Sequence, residues 1–458
     1  MTRRTRAWAA TAAALALPLG LLAVPAANAA TSTDGATSST SASTAVQGAL
    51  LASLVPTSTD VSAATIAANQ RIHTMLELRD ANPDLRRTFA GRVVDLQTGS
   101  AVYNHYAYSA LKPASTMKAI TAALALRLYG ADHRFPTWVL AGPTSDSVVV
   151  KAGGDPMLSR SFLRILAART ATALADAAPA GDTSTTYRRT VYVDDSLFGD
   201  PTRPPGWNST EWNKVRAFLL DRQRTSDSTA DVGAYFRSRL ALELQSRLGP
   251  RGKTVTVSFG GRHRALTGAK VWGAVSGHTM GAAIRFMLLW SDSNIAEMLF
   301  HHKAIATGHA ATRLGGVAGV QDQFRSLGIS LTNVRIVDGS GYSPDNRMTP
   351  YAETAVLQRA QLATEPRMHV LKDLLRRVGV DGTLSTSFNR FTTSWSRCAI
   401  GDAWAKSGTI YGVITIVGYA RGSDGKLKVF SFLVNGTSSS TRTRHALDML
   451  VATTVGCV

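Results

Sequence analysis

A long stretch rich in apolar residues lies near the C-terminus, DAWAKSGTIYGVITIVGYARGSDGKLKVFSFLVNG. Val, Ile and aromatic residues crowd it, and Gly412 and Ser423-Asp424-Gly425 break it. The pattern predicts three strands: one ending at Lys406-Ser407-Gly408-Thr409, one over 413–420 and one over 427–434. Residues 441–455 follow with the spacing of an amphipathic helix able to cover that sheet. Segments 89–95 and 101–105 flank Gln97-Thr98-Gly99 and predict a hairpin. The apolar run KAITAALALRLYG then predicts a helix opened by Pro113, Ala114 and Ser115. Hairpin and C-terminal strands together make one antiparallel sheet.

Ser115 and Ser291 are far enough apart for a further domain between them. The region 136–271 carries strand-like pieces (SVVVKAGG, TYRRTVYVDD, GKTVTVSFG) and helical pieces at 160–178 and 231–247. It also holds a Pro/Trp-rich loop at 201–212. The expected organisation is a main domain of 49–135 and 272–458 interrupted by 136–271.

At the N-terminus, Arg3, Arg4 and Arg6 precede an apolar stretch over 7–24, and Ala27-Asn28-Ala29 has the small-x-small form of a cleavage site. This reads as a secretory signal peptide, 1–29, too short in its apolar part for a membrane span. Residues 30–48 read as a Ser/Thr-rich linker without a core-forming pattern. The formal charge is +19. Outside the cell that balance suits anionic wall polymers or lipid head groups rather than nucleic acid, though no run of five basic residues occurs and a solvated basic surface explains it equally. Two cysteines, Cys398 and Cys457, are expected to form a disulfide in an exported protein; two buried thiols are the alternative.

Chemistry centres on S-x-x-K, which matches at Ser109/Lys112, Ser115/Lys118 and Ser423/Lys426. Pro113 turns Lys112 away from helix, and Ser423 to Lys426 has hairpin-turn composition. Only Ser115 opens a helix, where a lysine three residues on shares its face. A desolvated lysine amine can be neutral near pH 7 and take the hydroxyl proton, so Ser115 becomes acylatable without a histidine. On the edge strand, Lys406, Ser407 and Thr409 can hold a carboxylate, and Gly408 would let a substrate backbone come close. No HExxH, CxxC, G-x-S-x-G or Walker loop occurs, and adjacent His301 and His302 point apart on a helix, so neither metal nor cofactor is expected.

In this order the segments resemble the serine penicillin-recognising enzymes, and within them the D-alanyl-D-alanine carboxypeptidase/endopeptidase family, the class C low-molecular-mass penicillin-binding proteins. LKPASTMKAITAA, GGDPML (153–158), VYVDDSLFGD with Trp207, DGSGYSPDNRMTP (338–350), VDGTL (380–384) and AKSGTI carry the likeness. The resemblance implies an α/β (α+β) fold. Its core is a β-lactamase-like transpeptidase domain with an antiparallel sheet flanked by helices, and inserted accessory domains join it. It implies acyl transfer on D-Ala-D-Ala stem peptides of peptidoglycan and inhibition by β-lactams. By the same likeness Ser115 is nucleophile, Lys118 base and Ser291 proton relay, with the N–H groups of Ser115 and Thr409 as oxyanion hole. Asp155 meets the diaminopimelate end of the stem or makes only a turn. Asp338, Ser340, Ser343 and Asn346 line the cleft or shape their loop. One motif departs: the family's S-D-N-x-x-A-E is Ser291-Asp292-Ser293-Asn294-Ile295-Ala296-Glu297 here. With Ser291 kept in register, Ser293 stands for the asparagine, and Asn294, one residue on in a helix, faces elsewhere. A β-lactamase and a non-catalytic wall-binding protein that retains the fold are the alternatives.

Overall fold

The C-terminal strands are apolar on both faces because the sheet that they build is covered twice. The computed structural model describes residues 61–85, 88–199, 203–207, 215–222, 228–437 and 441–457. All of them belong to the compact unit Ser53–Val458. The expected signal peptide and linker, and much of the 201–212 loop, lie outside the described residues.

The strands are β1 (Thr88–Asp95), β2 (Ala101–His105), β3 (Arg134–Ala141), β4 (Ser147–Lys151), β5 (Thr186–Asp194), β6 (Thr254–Arg262), β7 (Val271–Thr279), β8 (Arg376–Arg377), β9 (Ala403–Ile410), β10 (Val413–Arg421) and β11 (Leu427–Asn435). The helices are α1 (Ala63–Asp80), α2 (Met117–Tyr129), α3 (Arg160–Asp176), α4 (Ser228–Leu248), α5 (Met280–Trp290), α6 (Ser293–Ala306), α7 (Arg313–Ser326), α8 (Pro350–Arg359), α9 (Leu371–Leu374) and α10 (Thr441–Val455).

The first sheet is antiparallel throughout, in the order β2-β1-β11-β10-β9-β8. Successive residues point to opposite faces. Ile414 and Ile416 of β10 and Phe430, Phe432 and Val434 of β11 join Leu76 of α1 and Leu447, Leu450 and Val451 of α10 in one core. Val417 and Tyr419 of β10 and Val429 of β11 join the other, with α2, α5, α6 and α8. Each large side chain buried this way contributes about 1.5–3 kcal/mol. Cys398 and Cys457 are joined in a disulfide, which ties the end of α10 to the loop before β9.

The second sheet runs β6-β5-β4-β3-β7. β4, β5 and β6 are parallel, and α3 and α4 supply the crossovers that parallel strands need. Its own core joins Leu163 and Leu166 of α3 and Phe236 and Leu240 of α4 to Val148, Val150, Val191 and Val193. Two of its strands, β3 and β7, were not expected. Pro136 interrupts β3 and shifts its register against β7, and proline speaks against a strand. The expected 136–271 region therefore ends short of the sheet it contains, which begins at Arg134 and runs to Thr279. Among the described residues no helix is long and apolar enough to cross a membrane.

Candidate active site

Ser115 sits in a single 3-10 turn, Ala114–Thr116, that runs directly into α2. Met117 through Leu126 are all buried, as in a helix that is apolar all round. Lys118 is drawn inside with them, fully buried. Its Nζ donates to Ser115 Oγ at 3.0 Å and to the carbonyl oxygen of Ser340 at 2.9 Å. Burial lowers the amine to about 8, against the opposing pull of Asp338, Glu297 and Asp292. About a tenth of it is then neutral at pH 7.

Two glycines let other elements close on the nucleophile turn. At Gly408 of β9 a Cβ would run into Thr415 Oγ1 and would lie 2.9 Å from both Pro113 O and Ser115 N. The glycine is thus demanded by the protein's own backbone, where the sequence suggested room for a substrate. On the other side Gly341 adopts φ +77, and a Cβ there would run into the carbonyl oxygen of Ala114. Ala114 itself stands at φ 48, a left-handed conformation that costs a side-chain-bearing residue about 1–2 kcal/mol. The turn that presents Ser115 is held from both sides.

A cavity of about 260 Å³ opens in front of Ser115. Ser291, Lys406, Ser407 and Thr409 line it, as do Thr383, Phe388, Arg390 and Arg444. Lys406 is buried, donates to Ser407 O at 2.6 Å, and is held well below its ordinary pKa by burial and by the cations Lys118, Arg376 and Arg390. A wall of this charge attracts an anion. Thr383 Oγ1 and Ser407 Oγ lie 3.2 Å apart. Arg390 Nε bonds both carboxylate oxygens of Asp448 on α10, at 3.0 Å each. Thr383 belongs to the VDGTL segment, which the sequence marked only for its order. Arg390 and Arg444 carried no signal, since a loop and the first turn of α10 bring them to the cavity.

Ser291-Asp292-Ser293 spans the break between α5 and α6, and Ser293 and Asn294 lie together in the first turn of α6. Ser291 ends α5 in a left-handed conformation, and Asp292 caps α6 by accepting from Ile295 N at 2.9 Å. Ser291 reaches the cavity; Ser293 is buried, Asn294 is half-buried, and neither lines it. Asp155 is not at the cavity either. It is buried, accepts from Met157 N at 2.8 Å, and is pushed up to about 6 by burial. The turn role is the one its contacts display.

The loop after Ile336 is organised by Asp338. Its carboxylate accepts from Trp207 Nε1 and Asn346 Nδ2 at 2.8 Å and from the N–H groups of Gly341 and Ser343 at 2.7 Å. Asp338, Ser343 and Asn346 shape the loop, and Ser340 offers its carbonyl to Lys118.

A family described as D-Ala-D-Ala carboxypeptidase 3 (S13) matches residues 72–215 and 225–454. The carboxypeptidase DacB of Mycolicibacterium smegmatis is 30% identical over 410 residues, covering 87% of this chain and 86% of that protein. A D-alanyl-D-alanine carboxypeptidase of an Actinomadura strain is 27% identical over 470 residues, covering 81% of this chain and 83% of its own length. In fold, the chain is similar to the crystal structure of penicillin binding protein 4 from Haemophilus influenzae, with TM-score 0.63 and 17% identity. That likeness covers 83% of this chain and 98% of the other. The chain is therefore an enzyme of the D-Ala-D-Ala carboxypeptidase 3 (S13) family of serine peptidases, to which it belongs over most of its length.

Proposed function

We propose that this protein is an exported DD-peptidase that removes the terminal D-alanine of peptidoglycan stem peptides, opens D-alanyl cross-links, and is acylated by penicillin. The observation that carries the reading is the 3.0 Å contact between Ser115 Oγ and the Lys118 amine. That amine is buried, lowered to about 8, and placed behind a cationic cavity. The leader at 1–29 supports export. The sheet over 134–279, with its own core, supports an accessory unit set into a peptidase domain.

In the proposed reaction, neutral Lys118 takes the Ser115 proton as Oγ attacks the carbonyl carbon of the penultimate D-alanine. The oxyanion accepts from the N–H groups of Ser115 and Thr409, each worth about 3–4 kcal/mol in such a site. The C–N bond breaks, and the leaving amine takes the proton from Lys118 by way of Ser291. Lys406, Ser407 and Thr409 hold the terminal carboxylate. Water then attacks the ester, Lys118 again takes a proton, and Ser115 is restored with release of the shortened peptide.

Purified protein given a D-Ala-D-Ala pentapeptide and a cross-linked muropeptide dimer should release D-alanine from the first and monomers from the second. A fluorescent penicillin should give a stable adduct. Rapid loss of that label would mean a β-lactamase, and absence of both label and product would mean a wall-binding protein.

A further inference from the structure

Behind Ser115 lies a buried carboxyl group that has no positive partner among the described residues. Glu353, on α8, is fully buried. Its Oε1 is 2.7 Å from Thr116 Oγ1, and its Oε2 accepts from Ser431 Oγ at 2.7 Å. Thr116 Oγ1 is also 2.7 Å from Pro113 O, and that carbonyl accepts from Thr415 Oγ1 at 2.7 Å. The chain of contacts runs from α8 through the residue after the nucleophile to the residue two before it.

Counting protons fixes its state. A threonine hydroxyl has one proton to donate. It cannot serve both Pro113 O and an ionised Glu353, so one 2.7 Å contact would be oxygen against oxygen with nothing between. A protonated Glu353 resolves this: its O–H donates to Thr116 Oγ1, and Thr116 donates to Pro113 O. Ser431 still donates to Oε2, and every link then has its proton. A lone carboxylate is also costly to bury. The cations on the packed elements are spoken for elsewhere. Arg92 of β1 donates to Thr354, Lys118 of α2 to Ser115 and Ser340, and Arg359 of α8 to Leu327 O. Lys428 of β11 pairs with Asp95 and Asp424, and the Tyr419 hydroxyl of β10 donates to Leu357 O.

We infer that Glu353 is a positioning residue, a neutral carboxylic acid that locks the Pro113–Thr116 turn and so sets the Ser115 hydroxyl and N–H for acylation. Burial pushes its carboxyl up to about 7, in keeping with the proton count. As an acid whose folded pKa is raised, it is protonated in the folded protein below about 7. Above that it ionises, and Thr116 turns toward it.

The role rests on Ser115 being the nucleophile; the state of Glu353 does not. Both are tested with E353Q, whose amide donates and accepts where the acid does, and with E353L, which does neither. Acylation by penicillin is timed from pH 6 to 9, and thermal melts are taken from pH 5 to 8. E353Q should acylate within about twofold of wild type at pH 6 and outpace it increasingly toward pH 9, up to about tenfold for one hydrogen bond. Folded E353L should be slower than E353Q by about tenfold or more at every pH. Should E353L fail to fold, T116V, which cuts the same chain one link along, takes its place with the same expectation. The melting temperature of E353Q should gain on wild type as pH rises from about 5 to 7 and level off above that, where the acid is ionised in both folded and unfolded chains. A constant E353Q to wild-type ratio, or a folded E353L (or T116V) that acylates normally, would overturn the role. A flat melting difference would overturn the neutral acid. Failure of wild type itself to be acylated would overturn the nucleophile and the role resting on it, leaving the melts to decide the protonation state.

Discussion

Gly408→Ala asks whether the approach of β9 is what positions the nucleophile. The added methyl would run into Thr415 Oγ1, a side chain that can rotate, although its hydrogen bond to Pro113 O would then be lost. It would also lie 2.9 Å from Pro113 O and Ser115 N, which are backbone atoms and cannot swing aside. Restoring ordinary contact at about 3.4 Å requires a shift of about half an ångström in β9 or in the Ala114–Thr116 turn. Overpacking of this kind costs about 1–3 kcal/mol of stability. A misplacement of about 1 Å at a reacting group can cost about a hundredfold in rate, so half of that should slow acylation by about tenfold. Stopped-flow acylation with a reporter β-lactam, run beside thermal melts, separates the two effects. The expected variant is folded, melts a few degrees lower and acylates about tenfold more slowly. A folded variant that acylates at the wild-type rate would refute the reasoning, since Ser115 would then keep its place without the glycine.

In E353Q, where residue 353 no longer titrates, acylation should rise with pH and level off above about 8, as Lys118 loses its proton beside the buried Glu297 carboxyl, itself pushed up to about 8; a pH-independent rate would remove Lys118 as the base. Replacing Cys398 and Cys457 with serine opens a loop with a sequence separation of 59 and should cost roughly 4 kcal/mol. Chemical denaturation measures that loss, and unchanged stability would show that the bridge does not hold α10.

What could be read along the chain was what local composition decides. The strand expected over 413–420 is observed as Val413–Arg421, and the helix over 441–455 as Thr441–Val455. Continuous β-branched runs, turn glycines and a helical period leave few choices there. Pro136 hid β3 because its exclusion from regular strands is a general rule that a register shift sets aside locally. Ser291 and Ser293 fall on either side of a helix break that local composition does not announce, since nothing nearby signals a left-handed cap, although Asp292, a favourable N-cap residue, could have marked a new helix. Thr383, Arg390, Arg444 and Glu353 were out of reach for another reason. Glu353 meets Thr116 across 237 residues, and only the packing of α8 against the sheet brings them together.

The central claim is that Ser115 is the acylated serine. Wild-type protein incubated with penicillin and digested should carry the penicilloyl mass on the peptide holding Ser115. Ser115→Ala, still folded, should carry none and release no D-alanine from a D-Ala-D-Ala peptide. A penicilloyl group on any other serine, or full labelling of Ser115→Ala, would contradict the account.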